Sequence, residues 1–408
     1  MMKNIISRDA YLNRLIELKD KPVIKAIAGI RRCGKSTLMR LYKNHLISSG
    51  VAEENIIFMN FTHFPNSKID SEYVIKTVKA KQGRTYILLD EVQMLESWDK
   101  TVLYLFENVD CDIYVTGSNS MMFSSKLSTL LSGRAITIEM FTFSYNEFLK
   151  FTGEADSDNS LMEYMTYGGF PLALMLRESE DAEIAVLEDI YSTVVLKDIV
   201  MRNNIRNQQM LKRISRFMMR NIGNLLSIKS IRDFMISNGI KVNFQTIDDY
   251  LGYLEESLAF YRVKRYNIKA KEELVVNDKF YVSDLGIRTA VLGKRDADIG
   301  RVMENLVYLE LRRRGFSVYV GKIGNYEIDF VAIDDVRTVY IQVCYSLNDP
   351  LTEEREIRPL KAVDDNYQKV VIVMQPSINK DRNGITELKL REFLTGVDTS
   401  PYDSLEKT

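Results

Sequence analysis

Histidine is almost missing from this 408-residue chain, which holds only His45 and His63. A histidine-built zinc site or a His-centred triad is therefore not expected. Cysteine is scarce as well. Cys33, Cys111 and Cys344 are odd in number and far apart, so they offer neither a metal spacing nor a disulfide framework. That usage fits a reducing compartment, and the expectation is a cytoplasmic protein. No run approaches 18 consecutive apolar residues, so no membrane partner is expected. The opening MMKNIISRDAYLNRLIELKD has no apolar stretch of signal-peptide length. With 7 prolines and 20 glycines, neither a collagen-like nor a long disordered tract is expected.

What is present is the composition of a folded protein too long for one comfortable core. Its charge is uneven. Residues 201–270 carry 13 Lys/Arg against 5 Asp/Glu, whereas 1–200 carry 22 against 27 and 271–408 carry 20 against 24. A basic middle between acidic flanks suits a polyanion; it equally suits docking on an acidic neighbouring domain.

Short apolar runs end at residues 29, 60, 90, 116 and 139, with amphipathic segments at 37–49 and 98–108 between them. Strands alternating with helices predict a mainly parallel sheet covered on both faces. Helical segments follow at 143–151, 159–177 and 181–202. Three further helices, at 208–222, 228–238 and 243–257, precede two strand-like runs at 259–266 and 279–282. Three helices and a hairpin is the order of a winged helix-turn-helix. A last α/β unit has a helix at 301–314 and strands at 316–320, 326–333, 338–344 and 369–374. The expected division is an α/β core at 1–155, a helical lid at 156–205, the winged helix at 206–288, a C-terminal α/β domain at 289–395 and a loose tail at 396–408.

Gly29-Ile30-Arg31-Arg32-Cys33-Gly34-Lys35-Ser36 satisfies the phosphate-loop spacing G-x-x-x-x-G-K-[ST] between a buried strand and a helix. Gly29 and Gly34 let the backbone curl, its N–H groups point inward, and the helix N-terminus adds positive potential. Residues 29–36 and Thr37 are the expected ATP-binding set. Lys35 reaches the β- and γ-phosphates, and the Ser36 hydroxyl holds Mg2+. Tyr86-Ile-Leu-Leu-Asp90 delivers a carboxylate to the carboxyl edge of the sheet, where open α/β sheets bind ligands. Asp90 is the expected second magnesium residue, and Glu91 the residue that polarises the attacking water. That acidic pair favours hydrolysis over transfer to a second substrate. At the tip of the fourth strand Asn119, with Ser118 second, is expected to orient the water. Arg134, in Leu131-Ser-Gly-Arg134, is the candidate arginine finger of a homo-oligomer, the alternative being a local carboxylate partner.

These motifs together resemble a family of bacterial and archaeal AAA+ ATPases fused to a C-terminal domain of unknown function. The resemblance also rests on Gly-Gly-Phe-Pro (168–171), Leu-Lys-Asp-Ile (196–199) and Lys-Phe-Tyr-Val-Ser-Asp-Leu-Gly (279–286). It implies that Gly169-Phe-Pro171 senses nucleotide. It also implies a restriction-endonuclease-like fold at the C-terminus, with Glu304 and Asp329 at two metal-ligand positions. Gln342-Val343-Cys344 stands where active members carry Glu-x-Lys, so a degenerate domain is expected, with Lys322 as a candidate replacement cation.

Three functions remain in play. The first is an ATPase acting on DNA through the basic residues Lys212, Arg213, Arg216 and Arg220 and the wing residues Arg262, Lys264 and Arg265. The second is a nucleotide-controlled signalling switch with a protein partner. The third is an ATP-regulated nuclease. Asn243, Gln245 and Thr246 begin the candidate recognition helix, but Asp248 and Asp249 beside them disfavour base reading.

Overall fold

The computed structural model describes residues 5–62, 69–118, 133–294, 299–377, 382 and 384–396. The chain divides into two compact units: Met1–Thr142 with Glu256–Leu258, and Phe143–Glu255 with Ala259–Thr408.

The first unit is a five-stranded, all-parallel sheet in the order β2-β3-β4-β1-β5. Its strands are β1 (Ile24–Ala28), β2 (Ile56–Asn60), β3 (Thr85–Asp90), β4 (Cys111–Gly117) and β5 (Ala135–Glu139). Helices α1 (Asp9–Glu17), α2 (Lys35–Ser48), α3 (Ser71–Lys79) and α4 (Trp98–Asn108) accompany it. Every residue of β1 and β3 is buried, as expected of strands covered on both faces. Ile24, Ala26 and Ala28 share one core cluster with Ile87, Leu89, Ile113 and Val115. Even Lys25 is enclosed, its ammonium paired with Asp112. Asp112 also accepts from Tyr114 Oη at 2.8 Å, and Tyr114 meets Tyr42 at 2.5 Å. Helix α2 begins at Lys35, two residues earlier than the amphipathic pattern indicates. The cause is Gly34, whose φ of 110° lets the chain turn straight into the first helical turn.

The second unit opens with α5 (Tyr145–Thr152), α6 (Asp158–Tyr167) and α7 (Glu180–Tyr191). The segment read as one helix at 159–177 is broken at Gly168, whose φ is 73°. An added Cβ there would lie 1.9 Å from Asp284 Oδ1. After α7 the chain widens into a π turn at Ser192–Asp198 before a short helix at Ile199–Asn203. Then come α8 (Gln208–Arg220), α9 (Ile228–Ser237) and α10 (Phe244–Glu256). Asn207 and Ser227 cap the first two through their side chains.

The hairpin β6 (Phe260–Asn267) and β7 (Glu272–Val282) does not stand apart from the C-terminal strands. Strand β6 pairs in parallel with β8 (Ser317–Ile323), which continues through β9 (Tyr326–Ile333), β10 (Thr338–Ser346), β11 (Gln368–Gln375) and β12 (Ile385–Lys389). The result is one mixed seven-stranded sheet, β12-β11-β10-β9-β8-β6-β7. The boundary expected at 288/289 therefore runs through a continuous sheet. Helices α11 (Leu285–Leu292), α12 (Ile299–Arg313), α13 (Pro350–Lys361) and α14 (Leu390–Thr395) complete this unit. Helices α11, α13 and α14 and strand β12 are not among the elements expected from the sequence. No helix among the described residues is long and apolar enough to cross a membrane.

Candidate functional site

Because all five strands of the first sheet are parallel, their carboxyl ends share one edge. The 29–36 loop leaves β1 there, Asp90 and Glu91 leave β3, and Ser118 follows β4. Gly29 is fixed by sterics: a Cβ would come within 2.1 Å of the Met140 carbonyl oxygen. Arg8, which the sequence reading overlooked, is 5% exposed and braces the loop from behind. Its guanidinium donates to the carbonyls of Cys33 at 3.0 Å and Phe141 at 2.9 Å. Cys33 is itself buried, its Sγ 3.5 Å from the Met140 carbonyl. Ser36 and Thr37 are half-buried in the first turn of α2.

The Lys35 ammonium donates to the carbonyls of Gly29 at 2.9 Å and Ile30 at 3.2 Å, and lies 3.6 Å from Glu91 Oε1. Asp90 is fully buried. Its oxygens accept from Thr116 Oγ1 at 2.6 Å and Asn60 Nδ2 at 2.5 Å. Glu91 occupies the left-handed region at φ 55°, its N–H donating to Thr116 Oγ1 at 2.9 Å. Such strain in a non-glycine residue marks a position that its surroundings hold. Gln93 Nε2 donates to Glu91 Oε2 at 2.5 Å and Ser118 Oγ at 3.1 Å. Burial pushes the Glu91 carboxyl upward. Lys35, the Gln93 and Ser118 hydrogen bonds and the charge of Arg31 outweigh it, so Glu91 titrates below its ordinary value.

Arg134 takes the local alternative: its guanidinium lies 3.2 Å from Glu107, and both side chains are about half exposed. Asn119 lies outside the described residues. The strand ending at Gly117 nevertheless brings Ser118 to Gln93 and thus to Glu91.

A second polar cluster forms in the other unit. The Lys279 ammonium, on β7, lies 2.7 Å from Glu304 on α12, 3.0 Å from Glu327 and 3.2 Å from Asp329, both on β9. Lys322 is not the cation here; it stands opposite Glu327 on β8 and makes no ion pair among the described residues. Tyr281 donates to Glu304 at 2.5 Å. Gln342 accepts from the Asp329 N–H at 3.3 Å and donates to Glu356 at 2.8 Å. Burial drives the Cys344 thiol up to about 12, so at neutral pH it is neither a base nor a cation.

With this geometry in view, the relatives are informative. Residues 21–149 match an AAA domain, and residues 158–298 match a domain of unknown function. An uncharacterized protein of Haemophilus influenzae is 35% identical over 97% of this chain and 100% of its own length. An uncharacterized protein of Methanocaldococcus jannaschii is 30% identical, over 88% of this chain and 83% of its own. Among solved structures, the Walker-type ATPase PABY2304 of Pyrococcus abyssi is similar in fold at 15% identity. The match has a TM-score of 0.51 and covers 70% of this chain and 96% of that one. The fold and the loop define an AAA+ P-loop protein with a nucleotide site. Within that class, the chain belongs to the same family as the Haemophilus and Methanocaldococcus proteins.

Proposed function

We propose that this protein binds Mg2+-ATP at the 29–37 loop, hydrolyses it, and couples the reaction to DNA through the outer face of α8. The observation that carries hydrolysis is the meeting of Lys35, Asp90 and Glu91 at one sheet edge, with Glu91 held as a carboxylate. Gly29, Arg31, Arg32, Cys33 and Gly34 line the phosphates with Lys35, Ser36 and Thr37. The residues suit magnesium. Ser36 offers a hydroxyl in the first turn of α2, and the buried Asp90 carboxylate has no ion-pair partner among the described residues. When bound, the metal neutralises β- and γ-phosphate oxygens. Water attacks the γ-phosphorus as the bond to the β,γ-bridging oxygen breaks, and Glu91 draws the proton from the water. An arriving phosphate takes Lys35 from its carbonyls and weakens its hold on Glu91, which makes Glu91 more basic when a base is needed. Asn119 orients the water, supported by Ser118. Arg134 serves a neighbouring subunit of a homo-oligomer once it leaves Glu107.

For DNA, the supporting observation is a stretch free of acids. Between residues 199 and 220, Arg202, Arg206, Lys212, Arg213, Arg216 and Arg220 are all exposed, and no carboxylate pairs with any of them among the described residues. Residues 212, 216 and 220 share one face of α8. The hairpin offers less. Arg262 lies within 3.9 Å of Asp248, 3.6 Å of Glu255 and 3.4 Å of Asp278, and Lys264 pairs with Glu273 at 2.7 Å. Helices α8–α10 with the β6–β7 hairpin are read as a winged helix that grips the phosphate backbone rather than bases, its hairpin shared with the C-terminal sheet. Residues 156–205 are read as a lid, and the β6–β12 sheet with its helices as a degenerate restriction-endonuclease-like domain. ATP turnover is to be measured with and without duplex DNA at two salt concentrations, with Lys35→Ala as the background. A DNA-dependent rise that fades with salt supports this reading. Turnover indifferent to DNA replaces it with the protein-partnered switch.

A further inference from the structure

A restriction-endonuclease-like fold implies a divalent cation held by Glu304 and Asp329, and the residues here do not fit one. Glu304 Oε1 and both Asp329 oxygens are already taken by donors of the protein itself. Glu304 Oε1 receives both Lys279 and Tyr281. Its other oxygen faces Gly223, where an added Cβ would lie 2.9 Å away. Asp329 Oδ1 receives Lys279 at 3.2 Å, and Oδ2 receives the Val343 N–H at 2.9 Å. The position that would supply a third ligand is Gln342. Its amide is spent on the Asp329 N–H and on Glu356, and Glu356 in turn receives Arg355 at 2.9 Å. No group of three or more His, Cys, Asp or Glu side chains among the described residues is arranged to hold a metal ion.

We infer that Lys279 is the resident cation of this pocket: its ammonium takes the place of a divalent metal and closes the Glu304, Glu327 and Asp329 carboxylates to one. Three carboxylates from a helix and a strand converge at 2.7–3.2 Å on a single ammonium that is 3% exposed. That ammonium is delivered by β7, in the same sheet as β9 but three strands away. Strand alternation puts Lys279 and Tyr281 on one face of β7, and Glu327 and Asp329 on one face of β9, so both elements present pairs to the pocket. An ammonium offers three donors and no vacant coordination site. The pocket therefore binds no metal, activates no water, and ties the hairpin to the sheet and to α12 by charge.

The test is a Mn2+ titration of the nucleotide-free full chain, followed by electron paramagnetic resonance and by thermal unfolding. Wild type and Asp329→Asn are expected to give the same Mn2+ isotherm. Lys279→Ala is expected to unfold at lower temperature, to gain about one Mn2+ equivalent, and to recover part of its melting temperature as the ion binds. Lys279→Ala/Asp329→Asn loses both the gain and the recovery. If Lys279→Ala does not fold, Lys279→Ala/Glu327→Gln removes one charge of each sign and is titrated in its place. Wild-type Mn2+ binding, or Mn2+-dependent DNA cleavage, that disappears in Asp329→Asn would overturn the inference. So would a Lys279 variant that gains no ion.

Discussion

Lys35 and Lys279 are both 3% exposed, yet their surroundings give them opposite roles. Lys35 rests on two neutral carbonyls, with its nearest carboxylate at 3.6 Å. Its charge is solvated but not cancelled, which under the proposed function leaves an ammonium ready to exchange partners when a polyphosphate arrives. Lys279 is enclosed by three carboxylates, and their attraction raises its pKa despite burial. Burial alone therefore does not mark a lysine as a ligand site. What distinguishes the two is whether the partners are dipoles or charges, because a dipole yields to an anion more readily than a carboxylate does.

That contrast can be broken from either side. The largest effect is expected at Lys279→Met. Leaving buried carboxylates without their cation costs about 3–5 kcal/mol, which would lower the melting temperature by on the order of 10 °C. A shift of a degree or two in a calorimetric scan would place Lys279 among weak surface pairs. Next, Glu91→Gln should lower kcat about 10²–10³-fold with ATP affinity kept, read by steady-state turnover and nucleotide titration. Turnover at the parental rate would remove Glu91 from the water-activating role. Lys35→Ala should weaken ATP binding about 100-fold, since one or two charge-assisted hydrogen bonds at about 1.5–3 kcal/mol each are lost. Unlike Lys279→Met, it should leave the melting temperature nearly unchanged.

A smaller effect comes from protonation. Burial raises the Glu304 carboxyl to about 7, with Lys279 opposing and Asp329 reinforcing the rise. A folded-state value above the unfolded one means that the Glu304 contribution is fully present below the ordinary carboxylate range and is lost as pH rises through about 7. Without Lys279 the carboxyl rises further. The penalty of Lys279→Met should therefore be larger at pH 8 than at pH 5, as the two proteins' melting temperatures compared across that range would show. An equal penalty at both pH values would mean that Glu304 does not titrate there. The smallest effect is expected on α8. Arg213→Gln and Arg216→Gln should each lower the salt slope of DNA binding by about one unit. An unchanged slope would move the contact elsewhere.

The two lysines also differ in how readily the sequence reveals them. Lys35 is encoded locally, because Gly29, Gly34, Lys35 and Ser36 lie within one turn between a strand and a helix. The placement of Asp90 and Glu91 was legible because a buried apolar run had to end at the carboxyl edge of a parallel sheet. The Lys279 pocket is encoded by pairing across a sheet. Its cation and carboxylates come from residues 279, 304, 327 and 329, and no window of the sequence holds them together. Lys322 looked the better candidate because it is close to Asp329 in the chain, but it falls opposite Glu327 on an adjoining strand instead. A usable signal was the alternation Lys279-x-Tyr281 against Glu327-x-Asp329, each a polar pair on one face of its strand. Arg8 was hidden for a similar reason, since its partners Cys33 and Phe141 are 25 and 133 positions away.

The parallel pairing of β6 with β8 sets where this gene can be cut. A fragment ending near residue 288 would leave β6 with an open edge, and the remainder would carry β8 equally bare, two unpaired strand edges prone to aggregate. A split near residue 142 cuts no strand pairing of either sheet. Chimaeras among relatives should therefore tolerate a junction there, while the hairpin and everything after it are inherited together.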